Sequence, residues 1–338
     1  MSQPVFVIVE AGVNHNGQIE IAKQLIKEAK SVGANAIKFQ TFKADKLVTA
    51  TAQKADYQQV TTDQNQSQYE MLKSLELSEK DHRILKTHCQ ELDILFLSTP
   101  FDEDSADFLE SLNLPLFKIS SGDLTNHPFL AHLAKKKKPM ILSTGMSTLG
   151  DVDAALNVIA ENGNPEVSLL HCVTEYPAPY DQINLKAMQT LRQAFQVPVG
   201  YSDHTLGIEI SLAAVALGAS IIEKHLTLDK TMAGPDHRAS LEPQEFKKMV
   251  ESIRHIEQAL GDGIKKPAEC ELRNMSVARK SLVVARPIKK GERFTKENVA
   301  IKRPGTGLSP SLWDYVLGST ATHDYSTDDL IQWKSPHL

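Results

Sequence analysis

The sequence lacks the features that would assign it to several large classes of protein. Only three of its 338 residues are cysteine, and Cys89, Cys172 and Cys270 are too far apart for a paired metal-ligand spacing. They indicate reduced thiols, so we expect a cytoplasmic protein. No apolar run is long enough to span a bilayer, because the longest, residues 208–222, is interrupted by Glu209 and a glycine. No basic segment precedes an apolar one at the N-terminus, so we expect no secretory signal.

An excess of basic charge is also missing. The sequence has 37 Lys and Arg against 42 Asp and Glu, a net charge of −5, and the basic residues are scattered. This balance predicts neither a nucleic-acid-binding surface nor a membrane-binding one. The expected partner is therefore a small molecule.

What the sequence does contain is one supersecondary pattern repeated eight times. Short runs rich in β-branched residues alternate with amphipathic helical segments such as 19–32, 79–92, 152–161 and 245–260, as in parallel βαβ units. Eight parallel strands in this order predict an α/β fold, the (β/α)8 TIM barrel, with its active site at the C-terminal ends of the strands. The predicted strands are 5–12, 36–41, 94–100, 116–122, 139–145, 167–173, 197–204 and 220–227.

The chain is longer than the roughly 250 residues of a typical barrel, so a second domain is expected. The helical periodicity ends after Gly263, and short strand-like runs with glycine turns follow. We predict a barrel domain at 1–263, a linker at 264–279 and a small β-rich domain at 280–338. The unusually long connection 42–76, after the second strand, has its own helical pattern. Long barrel loops usually cover or shape a site.

Strand parity brings two histidines together. Side chains alternate between the faces of a strand, so His225 shares a face with Glu223, and His204 with Ser202. In a closed barrel strand eight neighbours strands seven and one, which makes His204, His225 and Glu10 converge. Two neutral imidazoles near a carboxylate suit a divalent ion such as Mn²⁺, Fe²⁺, Co²⁺ or Zn²⁺. We expect such a metal, with positions open for water and substrate. A hydrogen-bonded role in the core is the alternative.

Ammonium and hydroxyl groups collect at the ends of strands two to four. A phosphate with a carboxylate carries about two to three negative charges, which several such donors would neutralise. Salt-bridged barrel lysines are the alternative, although an inward lysine is costly without an anionic partner. The groups are Lys38 and Gln40 on strand two, Thr99 at the end of strand three, and Lys118 with Ser120 or Ser121 on strand four.

The motifs that carry these residues resemble those of the sialic acid synthase family, over nearly the whole chain and in the same order. The C-terminal segment KKGERFTKENVAIKRPGTGL (289–308) is similar to the antifreeze-like, or SAF, domain of that family. The barrel motifs are EAGVNHNG (10–17), IKFQTF (37–42), FLSTPFD (96–102), KISSGD (118–123), ILSTGM (141–146), LLHCVTEYPAPY (169–180), GYSDHTLG (200–207) and EKHLT (223–227).

The resemblance implies a reaction. Such synthases condense phosphoenolpyruvate with an open-chain N-acyl hexosamine and water, giving a nine-carbon 2-keto sugar acid and phosphate. The acceptor would be N-acetylmannosamine or 2,4-diacetamido-2,4,6-trideoxymannose. The wording of VTEYPAP and FKADKLVT (42–49) is similar to that of the legionaminic acid branch. Two departures from the neuraminate synthases bear on the acceptor: Thr174 replaces an Asn, and Asp123 replaces a Glu.

The resemblance also implies roles for individual residues. His204 and His225 would bind manganese, and Glu10 would orient or deprotonate the attacking water. The active enzyme would be a homodimer, with the SAF domain of one chain reaching the site of the other through Arg303. A basic residue expected just before the SAF domain would be Arg279 or Lys280. Phosphoenolpyruvate would contact Lys38, Thr99, Lys118, Ser121 and Ser202, and the amino sugar would contact Glu10, Asp123, Tyr176 and Asp236. Gln40 and Thr174 are further candidates for substrate binding.

Three other interpretations compete. A class I aldolase or sialic acid lyase needs a Schiff-base lysine on strand six, where this chain has Cys172, Val173 and Thr174. A catalytically inert sugar-binding barrel is expected to have lost metal or anion ligands, but His204 and Lys118 are both present. A sister synthase acting on an aldose phosphate would show an additional Arg-rich phosphate site and would lack the SAF domain.

Overall fold

The computed structural model describes residues 3–63, 65–163 and 166–332. Eight parallel strands are hydrogen-bonded in the order β3-β2-β1-β8-β7-β6-β5-β4, and β3 also contacts β4, so the ring is nearly closed. This arrangement confirms the predicted TIM barrel. The strands are β1 (Phe6–Gly12), β2 (Ala36–Thr41), β3 (Leu95–Pro100), β4 (Phe117–Ile119), β5 (Met140–Ser143), β6 (Val167–His171), β7 (Val199–Asp203) and β8 (Ile221–His225).

Helices follow the strands and surround them. Their sequences explain where they begin: α5 and α8 open with capping boxes in which Ser78 and Thr148 pair with Asp81 and Asp151. The helices are α1 (Ile19–Ser31), α2 (Ala44–Leu47), α3 (Asp56–Thr61), α4 (Gln68–Leu75), α5 (Glu79–Glu91), α6 (Glu103–Ser111), α7 (His127–Ala134), α8 (Leu149–Glu161), α9 (Ala187–Phe195), α10 (Glu209–Ala216) and α11 (Pro243–Leu260). Within the described residues, none of the helices is long and apolar enough to cross a membrane.

All eight predicted strands are present, but several end earlier than predicted. The fourth was expected to reach Gly122, whereas β4 ends at Ile119 because Ser121–Asp123 turns into a short 3-10 helix. The seventh was expected to include His204, which lies one residue beyond β7. The chemically interesting residues therefore often follow the strands rather than lie within them.

Alternation along the strands creates two apolar layers. Inward-facing residues such as Ile8, Leu97 and Leu170 fill the interior of the barrel. Outward-facing residues such as Val9 and Phe39 pack against the helices in the main core. Because one strand contributes to both layers, its register determines which polar side chains enter the barrel.

The chain divides into two compact units, Met1–Gly261 and Asp262–Leu338. The second unit contains α12 (Glu269–Ala278), an antiparallel pair formed by β9 (Ser281–Val284) and β10 (Val299–Lys302), and the short α13 (Trp313–Val316). Its core includes Leu282, Val284 and Phe294. The predicted linker, 264–279, thus contains a helix. The predicted outer bounds, residues 1 and 338, lie outside the described residues.

Candidate active site

A cavity of about 400 Å³ opens at the C-terminal ends of the barrel strands. A larger one, about 670 Å³, lies at the opposite end of the barrel and is lined mainly by apolar side chains. Active sites of TIM barrels are found at the C-terminal end. Twelve of the predicted site residues line the smaller cavity: Glu10, Lys38, Gln40, Thr99, Lys118, Ser121, Thr174, Tyr176, Ser202, His204, His225 and Asp236.

Two buried lysines lie at the centre of this cavity, each beside a carboxylate. Lys38 Nζ lies 2.6 Å from Glu10 Oε2 and donates to Thr99 Oγ1 at 3.0 Å. Lys118 Nζ donates to Ser143 Oγ at 2.8 Å and lies 3.4 Å from Glu223 Oε1. With two positive and two negative groups, the cluster is formally neutral without a ligand.

Burial and pairing act against each other on these groups. Burial alone would lower the pKa of Lys38, but Glu10 and Glu223 outweigh it and raise that pKa. For Lys118 burial prevails over the attraction of Glu223, and the pKa is lowered. Burial raises the pKa of Glu10 to about 7, despite the opposing charge of Lys38. Glu10 is therefore able to exchange a proton near neutral pH.

Glu223 was not among the predicted site residues, although it shares a face of β8 with His225. Its Oε1 accepts a hydrogen bond from Ser202 Oγ at 3.0 Å, and its Oε2 lies 3.8 Å from Lys38 Nζ. Burial would raise its pKa, but Lys118 and Lys38 together lower it. Glu223 is thus an ionised counter-charge shared by both lysines. Strand parity had placed Glu223 on the same face as His225, but no role in the site was assigned to it.

The two histidines converge as strand parity predicted, with their ring centroids 5.6 Å apart. His204 Nδ1 lies 2.7 Å from the carbonyl oxygen of Val173, which places the proton on Nδ1 and leaves Nε2 as a lone pair. Burial lowers the pKa of His204 to about 4 and lowers the pKa of His225 well below its usual value. Both imidazoles are therefore neutral, the form in which histidine binds metals.

The surroundings of His225 also fit a metal. Among the described residues its Nδ1 has no hydrogen-bond partner, and it lies 3.7 Å from Asp236 Oδ2. Burial raises the pKa of Asp236 to about 6. The backbone of Gly12 passes close by with a φ of +52°, and a Cβ there would lie 3.3 Å from Glu10, His225 and Asp236. In the part of the chain that the structure describes, no group of three or more His, Cys, Asp or Glu has metal-binding geometry. A metal would have two protein ligands.

The backbone at Gly145 passes close to the hydroxyl side chains of Ser121 and Thr174, which line the cavity. Ser121 Oγ accepts a hydrogen bond from the Gly145 backbone N–H at 3.0 Å and lies 3.1 Å from Cys172 Sγ. A Cβ at Gly145 would lie 2.3 Å from Thr174 Oγ1 and 2.8 Å from Ser121 Oγ, so only glycine fits here. The buried Thr174 hydroxyl has no hydrogen-bond partner within the described residues. It is free to bond a ligand.

The long connection 42–76 forms part of the cavity wall, as its length suggested. Tyr57 of α3 stacks on Tyr176 with ring centroids 5.0 Å apart, and Tyr176 lies 4.1 Å from the ring of His204. Sequence reasoning missed Tyr57, because the connection has no strand parity to indicate which side chains face inward. The same segment contributes Gln58, Gln68, Met71, Leu72 and Leu75 to the lining.

Comparison with known proteins agrees with this geometry. Residues 25–265 match the NeuB family, and residues 279–335 match the SAF domain, which was predicted. This chain belongs to the NeuB family.

Similar members include synthases of legionaminic and neuraminic acids by name. The N,N'-diacetyllegionaminic acid synthase of Campylobacter jejuni is 53% identical, covering 96% of this chain and 98% of that protein. The synthase of the same name from Legionella pneumophila is 49% identical, covering 98% and 95%. A crystal structure of N-acetylneuraminic acid synthetase from Leptospira borgpetersenii is 36% identical, covers 81% of this chain and 90% of its own, and has a TM-score of 0.73.

In this NeuB-family chain, the predicted site residue Asp123 is not among the residues that line the cavity, although Ser121 and Gly122 beside it are. The Asp123 carboxylate accepts hydrogen bonds from Ser120 Oγ at 2.8 Å and from Asn126 Nδ2 at 3.4 Å, so it stabilises the turn after β4. Arg303 is in the C-terminal unit, where its exposed side chain donates from Nε to the carbonyl oxygen of Ala278 at 3.1 Å. Arg279 and Lys280 are exposed in the same unit.

Proposed function

We propose that this chain is a nonulosonic acid synthase, which condenses phosphoenolpyruvate with an open-chain N-acyl hexosamine and water to give a nine-carbon 2-keto sugar acid and phosphate. One observation carries the proposal. A single cavity combines two buried lysines, Lys38 and Lys118, with two neutral histidines and a carboxyl group, Glu10, whose pKa is about 7.

The lysines would bind phosphoenolpyruvate. Its phosphate and carboxylate carry the negative charge that two ammonium groups attract, and in a buried site this attraction is strong. Neighbouring hydroxyls supply uncharged hydrogen-bond donors at the same positions. They belong to Thr99, Ser121 and Ser202.

His204 and His225 would hold a divalent ion, for which we propose Mn²⁺, and when bound it would polarise the aldehyde of the acceptor. The side chains around it fit this role. Tyr176 stacks against His204, and its ring lies 5.6 Å from that of His225, so it covers both imidazoles. Covering them excludes bulk water from the reacting groups.

The proposed reaction forms a bond between the enol carbon of phosphoenolpyruvate and the aldehyde carbon. Water then adds to the resulting oxocarbenium centre, and phosphate leaves with cleavage of its C–O bond. Glu10 would accept the proton that the water loses, and a pKa of about 7 suits a general base working near neutral pH. Gln40 Nε2 lies 3.4 Å from Glu10 Oε1 and helps to orient the carboxyl group.

For the acceptor we propose 2,4-diacetamido-2,4,6-trideoxymannose rather than N-acetylmannosamine. The two relatives from Campylobacter and Legionella are diacetyllegionaminic acid synthases by name. The cavity also offers apolar side chains that suit the methyl groups of a second acetamido group and a 6-deoxy carbon, with the free hydroxyl of Thr174 nearby in the lining. These apolar side chains are Val13, Met71, Leu72, Phe101 and Met146.

A phosphate-release assay tests this proposal. The chain is incubated with phosphoenolpyruvate and a panel of N-acyl hexosamines, and each product is identified by mass spectrometry. The diacetamido sugar is expected to give a higher kcat/KM than N-acetylmannosamine, and equal or reversed values would reject the acceptor proposal. Turnover with an aldose phosphate instead would identify the sister synthase, and sugar binding without any turnover would identify an inert barrel.

We further propose that the active form is a cytoplasmic homodimer in which Arg303 of one chain completes the site of the other. The guanidinium of Arg303 keeps free donors, and its planar geometry suits an N-acyl carbonyl. Nine of the ten residues of α12 are exposed, including Leu272 and Val277, which is consistent with a partner surface. The three cysteines are free, as expected of a cytoplasmic protein.

Complementation between two inactive variants tests the dimer. Mixing Arg303→Ala with His225→Ala chains should restore, in heterodimers, one site that carries both wild-type groups. About a quarter of wild-type activity is the ceiling for random reassortment. No recovery, although mixed dimers form, would show that Arg303 does not act in the partner's site.

A further inference from the structure

Each histidine of the proposed metal site is preceded by a buried residue of opposite charge. Asp203 comes directly before His204, and Lys224 directly before His225. Asp203 Oδ2 lies 2.8 Å from Lys224 Nζ, and both side chains are fully buried. Their Cα atoms are also partners in the β7–β8 register. Because side chains alternate along a strand, this ion pair lies on the outer face of the barrel, behind the histidines.

The ion pair holds the backbone that follows His204. Asp203 Oδ1 accepts hydrogen bonds from the Thr205 backbone N–H at 2.9 Å and from Thr205 Oγ1 at 2.7 Å. Lys224 Nζ donates to the carbonyl oxygen of Thr205 at 2.7 Å. Asp203 therefore fixes the backbone N–H of Thr205, and Lys224 fixes its backbone C=O.

A helix adds a further hydrogen bond to the same cluster. Ser211 of α10 donates from Oγ to Asp203 Oδ2 at 2.6 Å, and it too is buried. The carboxylate of Asp203 thus accepts three hydrogen bonds and forms one ion pair. The ends of β7 and β8 are joined to each other and to α10 directly behind the two imidazoles.

Stability alone does not explain a charged pair at this position. Removing two ions from water costs several kcal/mol each, and replacement by apolar residues of similar volume is often neutral or stabilising. Apolar residues would fill the same space, but they would not make the hydrogen bonds that hold Thr205. The pair therefore serves to fix Thr205, the residue that directly follows His204.

We propose that Asp203 and Lys224 are positioning residues that hold His204 and His225 at the separation required to bind one divalent ion. This inference rests on the metal site of the proposed function. On the cavity side, His204 is held by the hydrogen bond between its Nδ1 and the carbonyl oxygen of Val173. Behind both imidazoles, the Asp203–Lys224 pair joins the ends of β7 and β8. Groups that orient metal ligands typically change metal affinity about 10- to 100-fold when they are removed.

The test measures binding of Mn²⁺ alone to the full chain, without substrates. Free Mn²⁺ is quantified by electron paramagnetic resonance during a titration, and thermal unfolding of the metal-free protein is recorded in parallel. The main variant is the double substitution Asp203→Leu with Lys224→Met, which removes both charges together and so avoids an unpaired buried ion. We expect it to fold with a lowered Tm, because the buried Thr205 backbone and the Ser211 hydroxyl lose hydrogen bonds, and to bind Mn²⁺ about 10- to 100-fold more weakly.

A matched control lies on the other side of the barrel. His82 of α5 is buried and faces the strands, with its Nε2 2.8 Å from Thr41 Oγ1, which lies 2.7 Å from Ser98 Oγ. His82→Phe breaks this network and is expected to lower the Tm while leaving Mn²⁺ affinity unchanged. If the double variant does not fold, Ser211→Ala removes one hydrogen bond to Asp203, and a Kd for Mn²⁺ raised about threefold or more supports the proposal.

The outcomes separate this inference from the proposed function. If the wild type binds no Mn²⁺, the metal site and the positioning role both fail. If the wild type binds Mn²⁺ and the folded double variant binds it equally well, the positioning role alone is overturned. An equal loss of affinity in His82→Phe would also overturn it, because any loosening of the barrel would then have the same effect.

Discussion

The two ends of the barrel are built from the same eight strands but bury opposite kinds of side chain. The C-terminal end encloses a cluster of two lysines and two glutamates beside the two histidines, whereas the N-terminal end opens to a larger cavity lined mainly by apolar residues. Buried charges are costly, so the C-terminal end carries groups that packing alone would not retain. The four charged residues are Glu10, Lys38, Lys118 and Glu223. The apolar lining includes Phe6, Leu116, Ile141, Val167 and Ile221.

The comparison implies that ligand chemistry governs one end and packing the other. A substitution at the C-terminal end should change activity much more than stability. One at the N-terminal end should do the reverse.

Removal of metal should have the largest effect on activity. Chelation is expected to abolish turnover and added Mn²⁺ to restore it, because two histidines cannot be replaced by other protein ligands at this site. His204→Ala should behave like the chelated enzyme and should not respond to Mn²⁺. Full turnover after exhaustive chelation, with metal content checked by mass spectrometry, would reject the metal.

Lys118→Met should lower kcat/KM about 100- to 1,000-fold, because it removes a buried cation that would face the anionic substrate. The rate of phosphate release measures this effect. Ser168→Ala, in the lining of the N-terminal cavity, is the matched control and is expected to change kcat/KM less than about twofold. Equal losses in the two variants would remove the distinction between the two ends.

Ile221→Ala tests the opposite prediction at the N-terminal end. Ile221 belongs to the interior apolar layer, so its truncation should cost about 2 kcal/mol in the free energy of unfolding, at the low end because a cavity already adjoins it. Chemical denaturation measures the loss, and kcat/KM of the folded variant is expected to stay within about threefold of wild type. A large loss of activity at full stability would contradict this assignment.

The loop after β1 should make the stability of the C-terminal end depend on pH. Burial lowers the pKa of His15 to about 4 from its usual 6.5. Between these values the unfolded chain binds a proton that the folded chain does not, so stability is lost as pH falls from 6.5 to 4, by about 1.4 kcal/mol per unit.

His15→Asn should remove the contribution of His15 to this dependence, since an Asn side chain can still accept a hydrogen bond from Gly17 N–H. Other buried histidines with lowered pKa values, such as His204 and His237, contribute equally in both proteins. The free energies of unfolding of wild type and variant are compared from pH 7 to 4, and their difference should change by up to about 3 kcal/mol, all of it below pH 6.5. A difference that is constant over this range would show that His15 is not the responsible group.

Asp123→Asn should have the smallest effect, although the sequence placed this residue in the acceptor site. An amide oxygen can still accept the hydrogen bond from Asn126 Nδ2 while the amide N–H donates to Ser120 Oγ, and the side chain lies outside the cavity lining. A change in kcat/KM below about threefold is expected with either acceptor sugar. A larger, acceptor-dependent change would return Asp123 to the site.

Strand periodicity explains how much could be predicted. Alternation predicted all eight barrel strands and the faces of Lys38, His204 and His225, because one buried face fixes the register of a strand. It failed at Asp123, where the 3-10 turn after β4 interrupts the alternation. It gave no information about Tyr57, which lies in a long connection whose path depends on tertiary packing.

The central claim is carbon–carbon bond formation from phosphoenolpyruvate with cleavage of its C–O bond. It is tested most directly by incubating the chain, Mn²⁺, phosphoenolpyruvate and the diacetamido sugar in ¹⁸O-labelled water. The masses of the sugar acid and of the released phosphate are then measured by mass spectrometry. We expect a nine-carbon 2-keto sugar acid and an equimolar amount of phosphate without ¹⁸O. Labelled phosphate, or phosphate released without the nine-carbon product, would contradict it.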